Sequence, residues 1–203
     1  MKVFQIRVGP MENFAYLLED EDTRTGMVID SGWEIEPILK LVASERLEVA
    51  YVCATHGHFD HVKTIGRLAH ELGAQTVAYE GSEINPKVRV HDGDHLRVGD
   101  SKVTVLHTPG HTRDSVCYYD RKHLFTGDTL FIEAWGRTDL PGGSDKVLFA
   151  SLHDVIMALP PATVIYPGHD YGPVPFRTLG EEAKKNPALL AKTPEEFRGL
   201  TQD

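Results

Sequence analysis

The sequence predicts an α/β fold, a four-layer αββα sandwich of two mixed sheets, on three observations. Two runs of short strand-like segments are each accompanied by helices with a single apolar stripe, which suits two sheets packed face to face with helices outside. Four of those segments end on a histidine or an aspartate, so residues scattered from 56 to 169 can converge along one edge. With 203 residues the chain can bury a substantial core, and it reads as one domain over 1–203 with a short helical tail from about residue 174.

Taken in order, Lys2 to Val8, Phe14 to Glu19 and Met27 to Ile29 read as strands, broken by Gly9-Pro10 and by the polar stretch Asp20 to Thr25. Antiparallel pairing is the expectation for such closely spaced runs. Ile35, Ile38, Leu39 and Val42 fall at helical spacing and predict a helix after Ser31-Gly32. The nearly unbroken apolar run Val49 to Ala54 predicts a strand buried on both faces. A second helix carries Ile65, Leu68, Ala69 and Leu72 and ends at Gly73, and Thr76 to Tyr79 is the next strand. Asp92 to Leu106 reads as two short strands joined through Gly99-Asp100, and Ser115 to Thr126 as a hairpin about Asp120-Arg121. Phe131 to Gly143 reads as a long loop facing a substrate. A helix from about Ser144 to Leu159 stops at Pro160-Pro161, Val164 to Tyr166 is the last strand, and the tail holds a polar helix around Leu179 to Lys185 and a shorter one near Glu195.

A formal charge of -9 disfavours nucleic acid as a partner, because backbone binding wants clustered Lys and Arg. No apolar run is long enough for a signal peptide or membrane span, so the expected location is the cytoplasm, with no membrane partner. Self-association is left open. Cys53 and Cys117 sit inside apolar runs and read as buried thiols, neither a disulfide nor a nucleophile.

The stretch Thr55 to His61 carries the chemistry, with His56, His58, Asp60 and His61 in six residues. Side chains at i and i+2 of an extended segment point the same way, so His56 and His58 can share one metal while Gly57 takes no space between them. A bend into a helix at Asp60-His61 turns those two towards a second ion. Imidazole and carboxylate at this spacing is the composition of zinc, iron and manganese sites.

This motif, followed in order by His111, Asp128 and His169, resembles the metallo-β-lactamase superfamily over nearly the whole chain. Within it, Thr108-Pro109-Gly110-His111-Thr112, Thr126-Gly127-Asp128-Thr129-Leu130 and Gly168-His169-Asp170-Tyr171 look like the glyoxalase II branch, which hydrolyses glutathione thioesters. The resemblance implies the metallo-β-lactamase fold and two divalent metal ions, zinc foremost, with iron or manganese accommodated. By similarity His56, His58 and His111 bind one ion, Asp60, His61 and His169 the other, and Asp128 bridges them. It implies a metal-bridging hydroxide as nucleophile on a thioester, assisted by Asp60 and Asp128, and a small-molecule substrate such as a hydroxyacylglutathione or related acyl thioester. Arg137 and Tyr171 match positions that hold glutathione, the first by charge and the second by a phenolic hydrogen bond.

Two features depart from that branch. Only 34 residues follow His169 (203 minus 169), where full-length glyoxalase II carries a sizeable helical extension. Gly136-Arg137-Thr138-Asp139 and Tyr166 to Tyr171 also resemble persulfide dioxygenases, mononuclear iron enzymes whose triad would be His56, His111 and Asp128. Against these, Phe59 stands where that family has alanine, and Ala134-Trp135 where it has Gly-Cys. A non-catalytic metal-binding module is the third reading, and the weakest, since structural sites are usually closed cysteine-histidine cages. His70, His91, His95, His107, His123 and His153 read as surface or supporting residues, and Trp135 as loop packing.

Overall fold

The computed structural model describes residues 1–200. The first sheet contains β1 (Lys2–Val8), β2 (Asn13–Asp20), β3 (Thr25–Ile29), β4 (Glu48–Cys53), β5 (Gln75–Tyr79) and β6 (Val88–Val90), in the spatial order β1-β2-β3-β4-β5-β6. The first three strands pair antiparallel, as their short connections require. From β3 onwards the pairing is parallel, so the sheet is mixed as expected, though the sequence did not say which strands run parallel. The reason is the connections: α1 (Glu36–Glu45) joins β3 to β4, and α2 (Phe59–Val62) with α3 (Ile65–Leu72) joins β4 to β5. A helical crossover returns the chain to the same end of the sheet, and only a parallel neighbour accepts it.

The second sheet draws on β7 (His95–Val98), β8 (Ser101–His107), β9 (Val116–Tyr119), β10 (His123–Gly127), β13 (Val164–Pro167) and β14 (Arg177–Thr178), ordered β14-β13-β10-β9-β8-β7. It too is mixed, since β10 and β13 run parallel. They are joined by α4 (Asp145–Ala150), which continues as a π-helical segment over Ser151–Ile156 where a single α-helix to Leu159 is expected. Between β10 and α4, the expected long loop contains a small hairpin, β11 (Leu130–Phe131) with β12 (Ala134–Trp135). The tail holds three short helices, α5 (Leu179–Glu182), α6 (Pro187–Leu190) and α7 (Pro194–Arg198), of which α6 carries no signal in the periodicity.

Period-two alternation builds three apolar layers from these strands. Tyr16 and Leu18 of β2 face the second sheet, among Val103, Val105, Tyr118 and Phe125, while Ala15 and Leu17 face Ile38, Val42 and Leu68 of the outer helices. On the far side Leu124 and Ile165 pack beneath Leu148, Leu152, Leu189 and Phe197. Burying each of the Val, Leu, Ile and Phe side chains among these contributes about 1.5–3 kcal/mol, which holds the layers together. Cys53 and Cys117 are free thiols, both buried. Among the described residues no helix is long and apolar enough to cross a membrane.

Candidate metal centre

Strand ends deliver the donors. The segment after β4 keeps His58 extended at φ -64° and ψ 140°, then turns at once into α2, so His56 and His58 point together while Asp60 and His61 swing aside. His111 follows β8, Asp128 follows the last residue of β10, and His169 lies two residues beyond β13. His58 Nδ1 lies 3.0 Å from His56 Nε2 and 2.9 Å from His111 Nε2, and Asp128 Oδ2 lies 3.5 Å from His111 Nε2. A second group forms beside it, with His61 Nε2 3.2 Å from His169 Nε2 and both 3.4 Å from Asp60 Oδ2. Asp128 faces both groups, its Oδ1 3.2 Å from His61 Nε2 and its Oδ2 3.5 Å from His169 Nε2. All seven predicted donors thus come together.

The hydrogen bonds on the outer faces of the rings decide what lies between them. His61 Nδ1–H donates to Asp30 Oδ2 at 2.9 Å, His111 Nδ1–H to the Arg137 carbonyl at 2.8 Å, and His169 Nδ1–H to the Met11 carbonyl at 2.8 Å. Thr55 Oγ1 gives its proton to Asp30 Oδ2, so it accepts from His56 Nδ1–H at 3.1 Å. In the neutral rings each inner Nε2 then bears a lone pair, aimed at other lone pairs and at carboxylates. Asp128 Oδ1 is buried without a hydrogen-bond partner. Donor atoms so placed repel unless a cation lies among them, and about 3.4 Å is the ligand spacing of a tetrahedral ion with bonds near 2.1 Å. The donor set fits divalent metal ions.

The electrostatics agree. Burial disfavours charge on His61, yet Asp128 and Asp30 hold its pKa well above the ordinary value. His169, opposed by burial but facing Asp128 and Asp60, is raised to about 9. Burial and the neighbouring His61 push His56 well below its usual range. Burial works against ionising Asp128 and Asp60, but His61 and His169 outweigh it and hold both carboxylates low.

Several residues that complete the site escape sequence reasoning. Asp30 is one, marked only by its place at the end of β3. Asn13 is another, its Nδ2 donating to Asp60 Oδ2 at 2.8 Å while Trp33 Nε1 donates to its Oδ1. Gly168 and Gly136 are the close approaches: a Cβ would stand 2.5 Å from Asp128 Oδ1 at the first and 1.7 Å from the Asp128 carbonyl oxygen at the second. Tyr171 lies at the site, stacked on His169 with centroids 4.6 Å apart. Arg137 is there too, but its Nε and Nη2 both donate to Asp139 at 2.8 Å. Trp135 packs on Phe197 as expected and also lines the cavity. Of the remaining histidines His123 is buried rather than superficial, donating to Asp120 across the β9–β10 turn.

Five of the donors, His58, Asp60, His111, Asp128 and His169, open into a cavity of about 530 Å³ lined also by Met11, Phe59, Phe131, Trp135, Arg137, Leu140 and Tyr171. Residues 8–87 and 76–169 match the family model of the metallo-beta-lactamase superfamily. The human mitochondrial persulfide dioxygenase ETHE1 is 36% identical over 186 residues, 90% of this chain and 73% of that protein. A probable hydroxyacylglutathione hydrolase of Schizosaccharomyces pombe is 38% identical over 172 residues, 81% of this chain and 66% of that protein. The crystal structure of ETHE1 from Myxococcus xanthus superposes with a TM-score of 0.92 at 37% identity, covering 97% of this chain and 88% of that one. Fold, donor order and sequence agree, and the chain belongs to the metallo-beta-lactamase superfamily.

Proposed function

We propose that the protein is a dinuclear metal-dependent hydrolase of small-molecule thioesters. His56, His58 and His111 hold one divalent ion, Asp60, His61 and His169 the other, and Asp128 stands between them. The observation that carries this reading is that the second group is supported as fully as the first. Asp30 fixes His61, the Met11 carbonyl fixes His169, and Asn13 fixes Asp60. A mononuclear centre on His56, His111 and Asp128 has no use for three more oriented donors.

When bound, the ions supply an activated water and polarise the carbonyl. Hydrolysis would join the water oxygen to the acyl carbon and break the C–S bond with its electron pair on sulfur, one water proton completing the thiol and the other leaving with the acid. A thiol with a pKa near 8.5 leaves without a strong acid, so no general acid is required. Asp60 and Asp128 act as ligands and orienting acceptors, and Asn13 Nδ2 keeps Asp60 in place. Burial and the Asp128 charge raise Tyr171 to about 12, which keeps its O–H available to donate to a substrate. The name of the yeast relative makes a hydroxyacylglutathione the first thioester to assay. Two free buried thiols suit a cytoplasmic location.

The test is metal content by elemental analysis of protein grown with zinc and iron and purified without chelators, paired with thiol release from a thioester. About two ions per chain with thiol release supports the hydrolase. The similarity to the persulfide dioxygenase ETHE1 favours a second reading, which one iron per chain and oxygen uptake on a persulfide would establish instead.

A further inference from the structure

The mouth of the cavity carries three large side chains that the fold itself does not use. Met11, Phe59 and Tyr171 are 47%, 60% and 51% exposed, and none belongs to a core layer. Phe59 and Tyr171 are nevertheless held in place. Trp33 stands edge-on to Phe59 at 5.4 Å, with Lys63 Nζ over both rings, and Trp33 is tied through Asn13 to Asp60. Tyr171 lies flat on His169 and meets Phe131 edge-on at 5.3 Å. Rigid aromatic walls beside reacting groups are the construction of an apolar subsite.

The charges point the same way. A glutathionyl group brings two carboxylates, each wanting a free cation. Among the described residues lining the cavity Arg137 is the one cation besides the donor histidines, with its Nε and Nη2 turned to Asp139, and the nearby Lys63 ammonium lies over the Trp33 and Phe59 rings.

We infer that the site takes thioesters with an apolar acyl group, seated on Phe59, Met11 and Tyr171, in preference to hydroxyacylglutathiones. This rests on the hydrolase reading and specifies its substrate class.

The test uses metal-loaded protein and the acetyl, butyryl and hexanoyl thioesters of one neutral thiol, N-acetylcysteamine, beside S-lactoylglutathione. The expected kcat/KM rises about three- to fourfold per added methylene, and the hexanoyl thioester overtakes lactoylglutathione. Phe59→Ala flattens the rise to about twofold or less across the series, and circular dichroism confirms its fold. Calorimetry with the matching ketones, in which CH2 replaces sulfur, reads the subsite without turnover; the hexanoyl analogue should bind at least about tenfold tighter than the acetyl one. Chain-length independence in both rate and ketone affinity, or a preference for lactoylglutathione, overturns the inference and leaves the hydrolase standing. Failure to cleave any thioester overturns the hydrolase reading, while the ketone affinities still decide whether the apolar seat exists. A Phe59→Ala protein that keeps the chain-length rise but sediments as a smaller assembly also overturns it, by making Phe59 a contact between copies.

Discussion

Asp30 touches both halves of the metal centre without being one of its donors. Its Oδ2 accepts from His61 at 2.9 Å and from Thr55 Oγ1 at 2.7 Å, its Oδ1 accepts from the Thr55 amide at 2.8 Å, and Thr55 passes the constraint to His56. One carboxylate therefore sets the tautomer of a ring in each group, from a backbone at φ 53° that Asp tolerates better than most residues. Asp30→Asn keeps the shape but turns an NH2 towards one of these donors. Metal affinity measured by chelator competition should fall roughly 10–100-fold; an unchanged affinity would reduce Asp30 to a packing residue. Gly168→Ala drives a methyl against Asp128 and should leave the purified protein short of metal. Gly66→Ala is the matched control, because its Cβ meets nothing within 4 Å in α3 and should retain full metal with a small gain in helix stability.

At the scale of elements, the wall of the cavity depends on the tail. Buried Glu182 accepts from the Glu133 amide in the β11–β12 turn and from Arg177, while Asn186 Nδ2 donates to the Phe131 and Ala134 carbonyls at 3.2 and 2.9 Å. These bonds clamp the hairpin that carries Phe131 and Trp135 to the site. Glu182→Ala leaves Arg177 paired with Glu133 at 2.6 Å but orphans the Glu133 amide, and should cost about 1–3 kcal/mol in urea unfolding. Asn186→Ala should cost about 1–3 kcal/mol by orphaning the two carbonyls. The double variant should lose less than the sum, since Asn186 also donates to Glu182 at 2.9 Å. A similar brace holds the His111 loop, where Ser151 Oγ donates to the Pro109 carbonyl and the Ser144 amide to the Gly110 carbonyl.

For the whole molecule, two linkages matter. Asp20, at the end of β2 in the first sheet, accepts from the Ser101 amide of the second and from Thr23, and these hydrogen bonds hold its pKa at about 2. A depressed carboxylate stabilises fully above its ordinary value of 3.8 and loses that contribution as pH falls through about 2. Asp20→Asn should therefore be about 1–2 kcal/mol less stable than the parent at pH 7, a gap that closes towards pH 2 in denaturant titrations. The second linkage is to metal. Removing ions from a centre of converging lone pairs and carboxylates exposes their repulsion, and at ~1,000 times the dissociation constant binding contributes about 4 kcal/mol. Chelation should lower the Tm by about 8 °C or more, recovered on adding metal back. A Tm indifferent to chelator would argue against tightly held ions.

The sequence by itself determined the αββα layering, the strand ends at His56, His111, Asp128 and His169, and the grouping of donors in the Thr55 to His61 stretch. Apolar periodicity and strand-to-loop transitions are local properties, and three or four neighbouring residues suffice to express them. Only the tertiary structure decided which strands pair in parallel, because that follows from where a helical crossover lands and not from any strand's own composition. The same holds for Asp30, Asn13 and Glu182. A lone acidic or amide residue has no periodicity, and each of these reaches a partner far along the chain: Thr55 is 25 residues from Asp30, Asp60 47 from Asn13 and Glu133 49 from Glu182. Arg137 shows the converse: its charge is plain in the sequence, but Asp139 two residues on occupies it, a pairing that requires both side chains to lie on the same side of a turn.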